Sequence, residues 1–209
     1  MKNTKQKIAD TARKLFNIHG YGQVTLRMIA NDLGMSCGNL NYHFKKREDI
    51  LEVLYFEMVA VFDQRVLELP QQKISMSLIY QEVRTSMQRM IAYRFFWTDI
   101  YNLLRTSPNI KKHFQQVYEQ RIKGYLYLFA ELRKEGLLKT PAYKNEDQFI
   151  GKQMVHFSNT WLYGMVLYAN DFGDEILEEN VSNLLGLLYP YLTAKGQEAL
   201  QSLVAYLKG

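Results

Sequence analysis

Apolar residues recur at helical spacing near the start of the chain. In residues 4–19 they fall on one helix face, at positions i, i+4, i+7 and i+8. These residues are Ile8, Ala12, Leu15 and Phe16. Gly20 follows and can adopt the left-handed conformation that ends a helix. The pattern therefore predicts a first amphipathic helix over residues 4–19.

Two shorter helices are predicted after the turn at residues 21–23. Thr25 is a good N-cap for the first, which Gly34 ends, and Ser36 is a good N-cap for the second. Their inward residues are Leu26, Ile29, Ala30 and Leu33, then Leu40 and Phe44. Three short helices with a tight glycine-containing turn between the second and third are typical of a helix-turn-helix unit.

Longer helical patterns fill the rest of the chain. They are predicted at residues 48–69, 73–93, 93–104, 110–136, 146–169, 174–190 and 193–208, with Pro70, Pro108, Gly136 and Pro190 at segment ends. The stripe of the fourth segment consists of Ile110, Phe114, Val117, Arg121, Tyr125, Leu128 and Leu132. Nine or ten helices, with no strand pattern and no internal repeat, predict an all-α fold.

The composition agrees with a helical globular protein. Of the 209 residues, 47% are hydrophobic and 22% charged, and Gly (12) and Pro (4) are too sparse for a turn-rich all-β fold. Cys37 is the only cysteine, so an internal disulfide is excluded. No apolar signal core begins the chain, and no run of about 18 apolar residues is present. We expect a cytoplasmic protein without membrane association.

The positive charge is concentrated at the N-terminus. Residues 1–50 hold nine Lys/Arg and four Asp/Glu, which accounts for the whole net charge of +5. The remaining residues hold 17 basic and 17 acidic side chains and are neutral. This asymmetry indicates a polyanion-binding head on a neutral body, although a solvated basic face explains the charge comparably well.

Residues 25–50 read TLRMIANDLGMSCGNLNYHFKKREDI. This segment resembles the N-terminal signature of the TetR family, T-x-x-x-I-A-x-x-x-G-V-S-x-G-x-L-Y-x-H-F-x-x-K-x-x-L, and the resemblance spans about residues 5–55 without a gap. Asn41 replaces the first aromatic residue of the signature, and Arg47 replaces its lysine.

The resemblance implies a three-helix DNA-binding head on an all-helical body that senses a ligand and forms a homodimer. We place the helix-turn-helix domain at residues 1–47 and the ligand-binding and dimerisation domain at residues 48–209. The expected function is a ligand-responsive repressor that binds a palindromic operator in double-stranded DNA, without a cofactor. The weaker alternative is a helical small-molecule-binding protein or an enzyme.

Ten residues are predicted to contact DNA: Thr25, Arg27, Ser36, Cys37, Gly38, Asn39, Asn41, Tyr42, Lys46 and Arg47. Cys37 and Gly38 are small and let the third helix approach base edges in the major groove. Phosphate contacts are expected from the residues at either end of the unit, namely Thr25, Tyr42, Lys46 and Arg47. For His43, packing against neighbouring helices is favoured over a DNA contact.

Aromatic residues are the candidate lining of a pocket for an apolar or amphipathic small-molecule effector. They are Tyr93, Phe96, Trp97, Tyr101, Tyr125, Phe157, Trp161 and Tyr168. Each alone is more readily explained as a core residue, whereas the set favours a pocket.

The two apolar helices within residues 146–190 are predicted to dimerise, with Leu184 and Leu188 in the interface, although both could instead be core of a single chain. The four histidines are isolated and no catalytic motif is found, so neither a metal site nor an enzyme is expected. Membrane binding through the basic head is also disfavoured, because the head's apolar residues are needed for its own core.

Overall fold

A computed structural model describes residues 4–68, 72–168 and 172–204. Within these ranges the chain forms eleven α-helices and no β-strand, which confirms the all-α class. The helices are α1 (Thr4–His19), α2 (Leu26–Asp32), α3 (Cys37–His43), α4 (Arg47–Glu68), α5 (Met76–Ala92), α6 (Arg94–Thr98), α7 (Ile100–Thr106), α8 (Pro108–Lys134), α9 (Glu146–Tyr168), α10 (Asp174–Gly186) and α11 (Ala194–Leu203). In the described ranges, 3-10 turns occur at Tyr21–Gln23 and Tyr189–Tyr191.

Several predicted helix boundaries differ from the structure. The segment predicted at 174–190 ends as α10 at Gly186, before the 3-10 turn at Tyr189–Tyr191. The aromatic segment 93–104 divides into α6 and α7 at Asp99, which raises the helix count above the predicted nine or ten. α5 begins later than predicted, because the Ser75 hydroxyl accepts a hydrogen bond from the Leu78 amide at 3.2 Å and caps it. Pro108 begins α8, at the position where a proline needs no amide hydrogen. Pro70 and residues 205–208 lie outside the described residues.

The described helices group into two compact units. The first comprises residues up to Asp63 together with Ala92–Phe114, and the second comprises Gln64–Ile91 together with the residues from Gln115 onward. A domain boundary at residues 47 and 48 stays a prediction, because packing units and functional domains need not coincide.

The core of the first unit is built from the predicted apolar stripes of α1, α2 and α3. Its fully buried residues include Ile8, Ala12, Phe16, Ile29, Ala30, Leu40, Ile50, Leu51 and Leu54. Leu15, Leu26 and Leu33 are only half-buried. Gly34 (φ 62°) and Gly20 (φ 79°, ψ 150°) both have the positive φ that favours glycine, although the ψ of Gly20 lies outside the left-handed helical region predicted for it. The predicted helix-turn-helix packing is therefore present.

Segment 92–98 packs against α1 within the first unit. The Phe95 ring lies 5.2 Å from the Phe16 ring. The Asn17 side-chain amide donates to the Ala92 carbonyl at 2.9 Å and accepts from the Phe95 amide at 3.1 Å. The Arg13 guanidinium lies 5.0 Å above the Tyr93 ring. This segment is thus part of the same core as the three head helices.

The second unit has a core of apolar residues from α9 and α10, with ion pairs between helices. Met154, Val155, Leu162, Val181 and Leu185 are buried. Arg133 of α8 donates two hydrogen bonds to Asp147 of α9, at 2.8 and 2.5 Å. Glu178 of α10 accepts from Arg84 at 2.5 Å and from Tyr80 at 2.6 Å, both on α5. None of the described helices is long and apolar enough to cross a membrane.

α11 packs closely against the segment after α8. Leu138 and Leu192 form an isolated antiparallel β-bridge, and the Thr193 hydroxyl accepts from the Gly196 amide at 3.1 Å as the N-cap of α11. An added Cβ at Gly196 would lie 2.1 Å from the Leu137 carbonyl oxygen. Only glycine fits this contact without a shift of the backbone.

We predict that Gly196→Ala destabilises the protein. Because the clashing partner is a backbone carbonyl, relief requires movement of α11, with an expected cost of about 2 kcal/mol. Gly186→Ala is the matched control, since a Cβ at Gly186 meets nothing within 4 Å and its stability should be unchanged or slightly higher. Urea denaturation at one protein concentration measures both. Equal stability of the two variants would contradict the close packing of α11.

Candidate functional site

α3 has a buried face and an exposed face of quite different composition. The Ser36 hydroxyl accepts from the Asn39 amide at 3.2 Å and confirms the predicted N-cap. Leu40 and Phe44 point into the core of the first unit. The opposite side carries the exposed residues Cys37, Gly38, Asn39, Asn41 and Tyr42. The exposed face of α3 therefore carries small and hydrogen-bonding side chains, and Tyr42 is its one large residue.

The turn before α3 has the geometry of a tight helix-turn-helix connection. Thr25 caps α2 by accepting from the Met28 amide at 3.2 Å, as predicted. After α2, the Gly34 amide donates to the Asn31 carbonyl at 3.1 Å and the Met35 amide to the Ala30 carbonyl at 3.0 Å. These bonds satisfy the last carbonyls of α2 and fix the start of α3.

Nine of the ten predicted DNA-contact residues are exposed within the head. They are Thr25, Arg27, Ser36, Cys37, Gly38, Asn39, Asn41, Tyr42 and Lys46, which together we name the recognition surface. Tyr42 is 79% exposed, and His43 is half-buried with its ring 5.2 Å from the Tyr42 ring. The exposure leaves the hydroxyl of Tyr42 available to a ligand.

The two lysines before α4 extend the recognition surface. The backbone amides of Lys45 and Lys46 both donate to the Asp49 carboxylate at 3.0 Å. Asp49 thereby satisfies amides at the start of α4, a position where a negative charge is also favoured by the helix dipole. Both lysine side chains are exposed, so their charges face solvent beside α3.

Arg47, the tenth predicted contact, has an internal role that the sequence did not reveal. Its Nη1 donates to the carbonyls of Tyr21, Gly22 and Val24 at 2.8, 3.2 and 2.8 Å. The guanidinium also lies 4.1 Å above the Tyr21 ring. A planar guanidinium can stack and donate several bonds at once, which a lysine cannot. Arg47 therefore holds the turn before α2 to the start of α4, and its phosphate contact stays a prediction.

The Tyr21 side chain completes this attachment. Its hydroxyl donates to the Glu48 carboxylate at 3.2 Å, and its ring lies 5.1 Å from Phe16 in the core. Burial raises the pKa of the Tyr21 phenol from 10.0 to about 12, which extends its protonated form further into the alkaline range. A signal for this arrangement was present in the sequence, since Arg47 departs from the lysine of the family signature.

The predicted pocket residues are divided between the two units. In the first unit Tyr93, Phe96 and Trp97 are buried, while Tyr101 is 71% exposed. The Trp97 indole N–H is the one fully buried side-chain donor in the described residues without a hydrogen-bond acceptor. Buried donors are normally paired, so this group has an unfilled hydrogen bond.

The second unit holds the other four predicted pocket residues. Trp161 is buried and its indole N–H lies 3.5 Å from the Met90 sulfur, while Tyr125 and Phe157 are half-buried. Tyr168 is 89% exposed at the end of α9. Tyr101 and Tyr168 are both largely exposed, and their place in a pocket stays a prediction.

Sequence reasoning did not identify the polar pair between α8 and α9. Arg121 donates from Nη1 to the Asn159 side-chain oxygen at 2.6 Å, and both residues are half-buried. The available signal was the position of Arg121 in the otherwise apolar stripe of α8.

The exposed apolar residues of α9 and α10 differ from those predicted for a dimer interface. Leu184 and Leu188 are buried in the second unit, because the stripe of α10 packs within its own chain. Apolar residues that remain exposed in this region are Phe149, Tyr163, Val166, Leu167 and Tyr168 on α9 and Leu187 directly after α10. These side chains, unlike Leu184 and Leu188, are accessible to a second subunit.

Two family models match the chain, one over the head and one over most of the remaining residues. The family model described as "Bacterial regulatory proteins, tetR family" matches residues 8–54, and the model described as "TetR: Bacterial transcriptional repressor" matches residues 62–200. HTH-type transcriptional regulators from several Staphylococcus aureus strains are 22% identical over 126 residues, or 60% of this chain. The chain spans 66% of the length of these curated relatives.

Solved structures share the fold. A TetR-family transcriptional regulator from Marinobacter aquaeolei VT8 superposes with a TM-score of 0.89 at 22% identity, covering 99% of both chains. SmeT, the repressor of the Stenotrophomonas maltophilia multidrug efflux pump SmeDEF, gives a TM-score of 0.67 at 18% identity, covering 92% of both chains. Because the repressor model alone matches more than half of its residues, the chain belongs to the TetR family of bacterial transcriptional regulators and is a regulator, not an enzyme.

Proposed function

We propose that this regulator is a ligand-responsive repressor that binds a palindromic operator as a homodimer in the cytoplasm. The observation that carries the proposal is the recognition surface, where hydrogen-bonding side chains on α3 stand beside exposed lysines in the one region with excess positive charge. Neutralisation of phosphates supplies most sequence-independent affinity, and base-edge contacts supply specificity.

The residues of the recognition surface fall into two proposed roles. Asn39 and Asn41 carry side-chain amides that can pair with adenine in the major groove, where Cys37 and Gly38 permit close approach. Thr25, Arg27, Ser36, Tyr42 and Lys46 can reach the backbone of the duplex and fix its register. Asn41 replaces an aromatic residue of the family signature, so base preference is expected to depend on it.

A homodimer is proposed because a helix-turn-helix head reads half a palindrome and two-fold symmetry supplies the other half. Half-sites lie about 34 Å apart, or a multiple of this distance, when two heads occupy successive major grooves. The exposed residues Tyr163 and Leu167 lie one helical turn apart near the C-terminal end of α9. Burial of this apolar patch against a second copy is favourable.

The proposed effector is an apolar or amphipathic small molecule. Within the second unit, the buried Trp161 and the half-buried Tyr125 and Phe157 offer apolar contact area to such a ligand. Release of DNA requires that this ligand bind more tightly to a shape in which the two heads no longer match the operator.

We predict that substitutions of the neighbouring residues Lys46 and Arg47 affect different properties, DNA affinity for Lys46 and stability for Arg47. Lys46→Ala should weaken binding to every duplex alike and lower the slope of log affinity against log salt by about one, since it removes one phosphate contact. Arg47→Ala should lower the free energy of unfolding by roughly 1–3 kcal/mol, because three carbonyls lose a charged donor. Binding is measured by fluorescence anisotropy on a palindromic duplex from upstream of the gene, and stability by urea denaturation.

One control variant and one variant that tests base recognition complete this experiment. Lys123→Ala removes an exposed lysine from α8 in the second unit and should change neither quantity. Asn39→Ala should alter the preference between the palindrome and a scrambled duplex without changing the salt slope. An unchanged salt slope for Lys46→Ala would show that the recognition surface does not meet phosphates.

We further predict that Tyr163→Glu dissociates the dimer. Tyr163 is 52% exposed on α9, and a charge placed there would be desolvated in an apolar interface. Tyr143→Glu is the matched control, because Tyr143 is 53% exposed but lies before α9. Sedimentation velocity at micromolar concentration should give a dimer for the wild type and for Tyr143→Glu, and a monomer for Tyr163→Glu. A monomeric wild type would contradict the proposed assembly.

A further inference from the structure

Arg121 is the only charged residue in the stripe of α8 that otherwise carries apolar and aromatic side chains. It is half-buried, and its Nη1 donates to the Asn159 side-chain oxygen at 2.6 Å. Among the described residues this neutral amide is its one hydrogen-bond partner, and no Asp or Glu forms an ion pair with it. The remaining N–H groups of the guanidinium are thus available to another acceptor.

The other arginines that join helices in the second unit are paired differently. Arg133 is matched by the Asp147 carboxylate, and Arg84 by the Glu178 carboxylate. Burial lowers the pKa of the Arg121 guanidinium from its usual value, yet arginine remains protonated in proteins. A desolvated cation is unfavourable unless an anion compensates it. Arg121 therefore lacks the anion that its counterparts have.

The surroundings of Arg121 offer both room and further donors. An added Cβ at Gly124, three residues along α8, would meet no atom within 4 Å. Tyr118 and Tyr125 lie one helical turn before and after Arg121, on the same side of α8. The Tyr118 ring stacks on His156 of α9 at 6.5 Å, and the Tyr125 ring lies 6.0 Å from Phe129. The guanidinium thus belongs to a side of α8 that also carries two tyrosine rings, and the position at Gly124 on this helix has open space.

We propose that Arg121 binds the acidic group of the effector, and that the effector is an amphipathic organic acid whose carboxylate pairs with this guanidinium. The inference rests on the proposed ligand-responsive function and specifies its ligand. An arginine and a carboxylate can pair through two parallel hydrogen bonds in one plane. Asn159 accepts a bond only from Nη1, so the other guanidinium N–H groups of Arg121 remain available for such a pair. The apolar part of the acid then lies against the neighbouring aromatic rings.

The test compares matched pairs of acids and alcohols. Straight-chain carboxylates from octanoate to hexadecanoate and the corresponding 1-alkanols are titrated into the full-length protein without DNA, with binding followed by tryptophan fluorescence and calorimetry. The wild type should bind at least one acid about tenfold or more tightly than its alcohol, since a charge-assisted pair is lost in the alcohol. Equal affinities throughout the series would overturn the proposal.

Three variants locate the interaction. Arg121→Met keeps an apolar stem and should abolish the preference for the acid, while the affinity for the alcohol changes little. Arg121→Lys keeps the charge but not the fork and should retain only part of the preference. Gly124→Leu fills the open space and should weaken acid and alcohol alike. A preference for the acid that survives in Arg121→Met would overturn the assignment.

Stability separates an anion-binding role from a structural one. Because Arg121→Met removes an uncompensated cation, its melting temperature without ligand should equal or exceed that of the wild type. A lower melting temperature together with an unchanged acid preference would make Arg121 a structural residue. Inorganic phosphate that competed with the acids at equal affinity, or a monomer–dimer equilibrium changed by Arg121→Met without loss of acid binding, would also contradict the proposed ligand.

A final titration distinguishes this inference from the proposed function. The tightest acid is titrated with and without the palindromic duplex, and coupling should reduce its affinity roughly 5- to 150-fold when DNA is bound. Acid binding through Arg121 with equal affinity in both titrations would leave the site intact and remove its regulatory role. Failure of DNA binding with normal acid binding would instead contradict the proposed repressor.

Discussion

The hydrogen bonds of the Asn17 side chain fix the relation between α1 and the segment that begins at Ala92. This amide donates to the Ala92 carbonyl and accepts from the Phe95 amide, beside the contact of the Phe16 and Phe95 rings. Each bond of this kind contributes about 1 kcal/mol, and an unpaired partner left behind would cost more. α1 also packs against α2, which in turn packs against α3, and Ile8 and Ala12 of α1 are fully buried. The recognition surface consequently rests on a core that includes residues far along the chain. A change of shape in segment 92–114 acts on the same packed unit that positions α3.

A second attachment orients the DNA-binding helices locally. Arg47 joins three carbonyls of the turn before α2 to the first residue of α4, and Tyr21 lies between this guanidinium and the core. Lys46 is exposed, whereas the neighbouring Arg47 is half-buried and makes these internal contacts. Arg47 thus connects the backbone of the turn before α2 to the start of α4. Two sets of hydrogen bonds therefore stabilise the head. Asn17 joins α1 to the segment that begins at Ala92, and Arg47 joins the turn before α2 to the start of α4.

Local signals predicted the head well because its elements end on residues with defined stereochemistry. Thr25 and Ser36 cap α2 and α3 as expected, and Gly34 adopts its left-handed conformation. Partners across the chain could not be predicted in the same way, since a helical stripe shows which face is buried but not what covers it. Phe96 is buried in the unit that contains the head, and its place in an effector pocket stays a prediction. Leu184, which the apolar stripe places in a dimer interface, is buried by its own chain. Arg121 stood in an apolar stripe, and only the structure shows that its partner is a neutral amide. The DNA contacts and pocket residues themselves stay predictions.

The central claim is that α3 meets DNA and that segment 92–98 shares the structural unit that positions it. Amide hydrogen exchange of the wild-type protein, with and without the palindromic duplex, tests both parts in one experiment. The account predicts slower exchange in Cys37–His43 and in the turn before α2 when DNA is bound. It also predicts slower exchange of the Phe95 amide, which is away from the recognition surface but hydrogen-bonded to Asn17. If α3 is protected but exchange of the Phe95 amide is unchanged, segment 92–98 does not respond together with α3, which contradicts the second part of the claim. If α3 is not protected when the duplex is bound, α3 does not contact DNA, which contradicts the first part.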